Sequence, residues 1–269
     1  MALLGPHTQI FFGLLGNIVS CLVYLAPTPT FYRIFKKKST QGFQSIPYSV
    51  ALFSAMLYLY YALLKPNGFM LVTINCFGIL IESLYLIIYM IYATRDSKIY
   101  TAKLLILFNM GAFGLIVLFT YLFSTASKRL AIVGWICAVF SVSVFAAPLG
   151  IMRLVIRTKS VEFMPFSLSL CLTICAVMWF LYGLSVHDYY IATPNVLGLA
   201  FGVVQMILYL IYRKRRNGIL PEVVDLKEQA NGIPMTIVDQ ENHLPGDTPV
   251  NGEVDNKETV QINTIEVTL

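Results

Sequence analysis

Acidic residues are scarce along most of this chain. Between residues 8 and 212 there are four, and Glu82 alone falls inside an apolar run. Charged residues make up 12% of the sequence against 57% hydrophobic, with a mean hydropathy of +0.72. A soluble core of this size needs a polar surface, which these residues cannot supply, so a soluble enzyme is excluded. Cysteine is sparse too. Cys21, Cys76, Cys137, Cys171 and Cys175 all fall in apolar stretches, and none has CxxC or CxxH spacing, which argues against metal sites and disulfides. The apolar stretches do not alternate with polar residues, so a membrane β-barrel does not fit. No basic residue precedes the first stretch, whereas Lys36, Lys37 and Lys38 follow it. That stretch reads as an anchor with an exported N-terminus, not as a cleaved signal.

What the chain does have is seven apolar stretches, at about residues 8–30, 47–64, 69–93, 103–123, 130–152, 165–186 and 189–212. Most reach the roughly 20 residues that a helix needs to cross a hydrocarbon core. Lipid cannot satisfy backbone amides, so each crossing is expected to be helical. Fourteen Lys and Arg residues flank one set of loop ends and only Lys65, Lys128 and Arg129 the other. The bias places the N-terminus outside and the C-terminus in the cytosol. The net charge of +5 conceals a split of +13 over residues 1–216 and −8 over 217–269. The basic excess faces anionic lipid and is no argument for nucleic acid. The tail, 214–269, lacks periodicity and reads as disordered.

The chain also repeats itself. Pro27 and Pro148 are 121 residues apart, as are Lys38-Ser39 and Lys159-Ser160, while Pro47 matches Pro165 after a three-residue deletion. Tyr58 and Tyr61 match Trp179 and Tyr182, and the run from Asn75, "NCFGILIESLYLIIYMIY", matches that from Asn195, "NVLGLAFGVVQMILYLIY". The fold class that follows is an all-α membrane protein of seven transmembrane helices. Residues 1–98 form one triple-helix bundle, 99–129 a linker helix, and 130–213 a second bundle. One linker helix makes the two bundles parallel, and their seam near the midplane is a natural place for transport.

The segments "LAPTPTFYRIFKKKSTQGFQSIPY", "FAAPLGIMRLVIRTKSVEFMPFSLSL" and "PNVLG" resemble the plant SWEET sugar transporters, and the resemblance spans residues 8–213. That family is itself a known case of parallel repeats, so the repeat is a point of agreement and not an independent prediction. The resemblance implies a bidirectional, uncoupled sugar uniporter in the plasma membrane with no cofactor. A sugar and the bilayer are its partners, along with homo- or hetero-oligomers of related transporters.

The landmark residues can be read in two ways. Pro27, Pro47, Pro148 and Pro165 either kink helices or start them; their two-by-two symmetry, with the family's pattern, favours a hinge set. Asn75 and Asn195 either bond neighbouring helices or offer amides to a sugar across the seam. Tyr58 and Trp179 either pack or cover a sugar ring. The resemblance places both pairs around the substrate, although many relatives have Trp where this chain has Tyr58. It adds Val23, Ser54, Val144 and Cys175, whose small size implies room for a disaccharide. Ser20 and Ser141 complete the substrate set. Tyr61 and Asp188 match the family's extracellular gate. Gln205 reads as structural. Glu82 reads either as a proton-coupling site or as a structural hydrogen bond; the second is expected, since no basic residue lies in an apolar run to pair with it and its repeat mate is Gly202.

Sucrose is therefore the expected cargo, with glucose second. The competing readings are a hexose-preferring transporter of the same fold and a seven-helix receptor. A receptor needs no such repeat, and neither a DRY-like triplet nor NPxxY is present. An amino-acid transporter on a related repeat fold would carry PQ dipeptides at the prolines, and there are none.

Overall fold

A computed structural model of the chain describes residues 6–161, 164 and 166–213. Pro165, the basic run Lys214 to Arg216 and the acidic tail lie outside these residues. The described chain is helical: α1 (Pro6–Leu25), α2 (Thr28–Lys37), α3 (Ile46–Leu64), α4 (Phe69–Tyr92), α5 (Arg95–Leu104), a π-helical segment (Leu105–Ala112), α6 (Phe113–Phe123), α7 (Ala126–Val144), α8 (Ala146–Thr158), α9 (Phe166–Ser185) and α10 (Tyr189–Tyr212). Among the described residues, seven helical stretches are long and apolar enough to cross a membrane. The first joins α1 to α2, the fourth runs from α5 to α6, and the fifth joins α7 to α8.

These three stretches run further than hydropathy indicates. α2 ends on Lys36 and Lys37, cations that suit a helix C-terminus. α5 starts at a capping Thr94, whose hydroxyl accepts from the Ser97 amide, with Asp96 in the first turn. Hydropathy registers only what lipid would cover, whereas the helices continue as amphipathic ends beyond it.

The first and fifth stretches are both broken, in different ways. The first breaks at its proline: Pro27 has φ −74° and ψ −9°, and Ala26 donates to Val23 O at 3.1 Å in a tightened turn. The fifth breaks at Phe145 (φ −68°, ψ −6°), three residues before Pro148, with Phe145 donating to Val142 O at 3.1 Å. A proline has no amide for the carbonyl four residues back, so Pro27 and Pro148 take a donor from Val23 and Val144. Pro47 is the second residue of α3, where a missing amide breaks no helical bond, so it starts that helix.

Past each break the repeat is visible in side-chain contacts. Lys38 and Lys159 end α2 and α8 in the left-handed region, with φ 54° and 55°. Each then reaches the tyrosine that closes its bundle's third span, Lys38 to Tyr92 at 3.0 Å and Lys159 to Tyr212 at 3.2 Å. In both bundles the third span lies between the other two, α4 packing on α1 and α3, and α10 on α7 and α9. Helices in lipid gain little from apolar contact, so close packing at small residues holds them together. A Cβ on Gly78 would sit 2.5 Å from the Tyr24 ring, and one on the repeat-equivalent Gly198 would sit 3.4 Å from Phe145.

The linker packs along α3 through polar rungs: Ser45 with Thr101 at 2.7 Å, Ser49 with Asn109 at 2.5 Å, and Tyr60 with Thr120 at 3.0 Å. In a regular helix Thr101 and Asn109 would point about 80° apart. The wider π turns between them bring both toward one face, and Asn109 gains a second bond, to Ser49 O at 2.9 Å.

Candidate functional site

The bundles meet where α1 packs on α9 and α3 on α7. In each case the first helix of one repeat lies against the second helix of the other, so the seam carries two crossed contacts. At one, Trp179 Nε1 donates to Ser20 Oγ at 2.9 Å. At the other, Tyr58 Oη and Ser141 Oγ are 2.9 Å apart. Trp179 is 121 residues after Tyr58, and Ser141 is 121 after Ser20, so the two bonds are repeat mates with their ends exchanged between bundles. The phenol hydroxyl of Tyr58 thus does the work of an indole N–H, and the departure from Trp keeps the bond.

Trp179 is buried, edge-on to Tyr182 with ring centroids 5.4 Å apart. Gly16 admits it: a Cβ there would lie 3.1 Å from the indole. Ser20 also touches Cys175 Sγ at 3.1 Å, so a cysteine at this position still makes a polar contact, a soft one. Ser54 and Cys175 are repeat mates, as are Val23 and Val144. Ser54, Val23 and Cys175 are half-buried, and Val144 is exposed at the last residue of α7.

Asn75 and Asn195 adopt the same pose. Each donates its Nδ2 to the carbonyl one turn back on its own helix, Asn75 to Leu71 and Asn195 to Ile191, both at 2.7 Å. That bond uses one donor and leaves Oδ1 as an acceptor. Asn75 is buried and Asn195 half-buried.

A polar contact joins the two bundles at one end of the seam. Tyr61 Oη donates to Asp188 Oδ2 at 2.6 Å, and Lys65 forms an ion pair with the same carboxylate oxygen. Asp188 Oδ1 meanwhile accepts from the Tyr190 and Ile191 amides at 3.0 and 3.3 Å, capping α10. Asp188 is 5% exposed, so it is not a loop acid facing water. Lys65 is the participant that charge counting overlooked; it stands four residues after Tyr61, just past the last residue of α3. Beside this contact lies a cavity of about 590 Å³ lined by Tyr61, Lys65, Trp135, His187 and Tyr190.

Glu82 is buried, as its place in α4 implies, but its Oε2 has no hydrogen-bond partner among the described residues. The structural bond expected of the carboxyl is not made by this oxygen. Gln205 is buried in α10. Among the described residues no group of three His, Cys, Asp or Glu could hold a metal ion.

Known proteins match this architecture. A family model described as a sugar efflux transporter for intercellular exchange matches twice, over residues 10–97 and 131–217. The bidirectional sugar transporter SWEET13 of Oryza sativa subsp. japonica is 58% identical over 201 residues, 75% of this chain and 68% of its own length. NEC1, a bidirectional sugar transporter of Petunia hybrida, is 59% identical over 209 residues, 78% of each chain. SWEET9 of Arabidopsis thaliana is 52% identical over 230 residues, 85% of this chain and 89% of its own. A solved structure of a eukaryotic SWEET transporter superposes with a TM-score of 0.73 at 35% identity, covering 77% of this chain and 97% of that one. The chain belongs to the SWEET family of sugar transporters, multi-pass membrane proteins that move a sugar and carry out no chemistry on it.

Proposed function

We propose that the chain is an uncoupled uniporter that carries sucrose down its gradient by alternating access, with glucose as the second substrate. The crossed bonds Trp179 to Ser20 and Tyr58 to Ser141 are the observation that supports this most, because they gather groups suited to sugar hydroxyls and ring faces at one seam. In this reading the sugar is held by Asn75 and Asn195 and flanked by Tyr58 and Trp179. Small side chains at Val23, Ser54, Val144 and Cys175 leave room for a disaccharide. Tyr61, Asp188 and Lys65 close the extracellular end, and the breaks at Pro27 and at Phe145, just before Pro148, let the cytosolic end open and shut. Pro47, at the start of α3, and Pro165 complete the proposed hinge set. The plasma membrane is the proposed location, with the N-terminus outside.

Binding must be weak in both states, since a uniporter that trapped its sugar would not release it. Radiolabelled sucrose and glucose uptake in a transport-deficient cell tests the reading. Sucrose flux is expected to exceed glucose flux, and Asn75→Ala or Asn195→Ala is expected to abolish both while the protein still reaches the membrane. A larger glucose flux would reject the disaccharide pocket in favour of the hexose-preferring alternative.

A further inference from the structure

The first break is deeper in covalent terms than the second. Pro27 and Pro29 together remove the amides that the Val23 and Leu25 carbonyls would take in a continuous helix, whereas the fifth span has Pro148 followed two residues later by Gly150. Between those two carbonyls lies that of Tyr24, and a side chain from another span reaches it. Tyr85 of α4 donates its hydroxyl to Tyr24 O at 3.1 Å, and the same hydroxyl lies 2.8 Å from Thr28 Oγ1. Tyr24 belongs to the last turn of α1 and Thr28 is the first residue of α2. The Tyr85 ring also stacks on Phe31 of α2, with centroids 4.3 Å apart and planes 12° from parallel. Tyr85 is 5% exposed and Phe31 2%.

One rigid side chain is therefore anchored on both sides of a bend. Its three contacts lie on both sides of the break, so a change in the α1–α2 angle would move Thr28 and Phe31 relative to Tyr24 and disturb them together. The second repeat has no counterpart. The residues matching Tyr85, Tyr24, Thr28 and Phe31 are Gln205, Phe145, Leu149 and Met152, a set without a hydroxyl. Phe145 instead leans on Phe201, with centroids 5.1 Å apart and planes tilted by 52°. The two breaks are unequal: the first is held by hydrogen bonds and a stacked ring, the second by apolar contact.

We propose that Tyr85 is a state-selective positioning residue, a latch that fixes the angle between α1 and α2 in the state in which Asp188 is joined to Tyr61 and Lys65. It touches none of the residues assigned to the sugar and acts through the angle between α1 and α2. Removing its hydroxyl weakens the state described here and leaves the other untouched, so the balance of states moves toward the one open at the Asp188 end. The proposal rests on the alternating-access reading.

Exposed residues Phe69 and Tyr189 start α4 and α10 at the Asp188 end, one in each bundle, and report on that balance. Spin labels are placed at these two positions through a non-canonical amino acid, leaving native cysteines intact, and their distance distribution is measured in lipid nanodiscs. The wild type is expected to show a short and a long population whose ratio responds to added sucrose. Tyr85→Phe is expected to raise the long-to-short ratio about fivefold, the factor that one modest hydrogen bond represents. Thr28→Val, which removes the hydroxyl's other partner, is expected to move it the same way. An unfolded fraction gives no defined distance, so loss of fold would not imitate this shift. Two populations in the wild type with an unchanged or lower ratio in both variants would overturn the assignment of Tyr85. A single distance in the wild type, indifferent to sugar, would reject alternating access itself and the latch with it.

Discussion

Tyr58 shows how a departure at one position can be absorbed by the chemistry of its partner. Ser141 accepts from or donates to a phenol as readily as Ser20 accepts from an indole, and both distances are 2.9 Å. The pair is thereby coupled, and a double-mutant cycle should detect it. Tyr58→Phe and Ser141→Ala are each expected to slow sugar uptake several-fold, in line with a loss of about 1 kcal/mol. The double variant is expected to be no slower than the worse single one, since both changes remove the same bond. Uptake assays on the four proteins check this; additive losses would show that the two residues act independently. From the sequence the repeat paired Tyr58 with Trp179, and Ser20 and Ser141 came in with the substrate set that the family resemblance implied, but neither showed the crossing. Alignment pairs Tyr58 with Trp179, whereas the fold pairs each with a serine of the opposite bundle. That exchange depends on which helices touch, and periodicity within one helix carries no such information.

At the scale of elements, the least legible features were those set by tertiary demand. The break of the fifth span falls at Phe145 and not at Pro148 because a proline disturbs the turn before it, whereas in the first span Pro27 stands in the break itself. The π turns of the linker answer to Asn109 needing Ser49, a residue sixty positions away. Asp188 joins two elements at once, capping α10 with one oxygen and receiving Tyr61 and Lys65 with the other. These roles can be separated. Asparagine caps a helix nearly as well as aspartate, so Asp188→Asn should lose the ion pair but keep the cap. Asp188→Ala loses both, and is expected to be about 1 kcal/mol less stable than Asp188→Asn. Thermal unfolding of the detergent-purified variants measures the difference; equal stability would mean that the cap contributes nothing.

Across the whole molecule, seven crossings and the 3+1+3 plan were readable because lipid imposes length and apolarity on every span, and the repeat doubled each landmark. The residues of the site were mostly named in advance, yet their roles depend on contacts that no run of sequence displays. Lys65 counted only as a loop charge until α3 brought it to Asp188, and Oε2 of Glu82 has no hydrogen-bond partner among the described residues where a structural bond was expected of the carboxyl. A buried acid raises the question of proton coupling, but among the described residues the ion pair is Lys65 with Asp188, and no base is paired with Glu82. The central claim is that one site faces the two sides of the membrane in turn with no energy source. Counterflow tests it most directly. Purified protein in liposomes preloaded with excess unlabelled sucrose, without ion or pH gradients, should draw in labelled external sucrose to a transient level above equilibrium and then release it. Label that enters only to the equilibrium level, with no overshoot, would contradict the account.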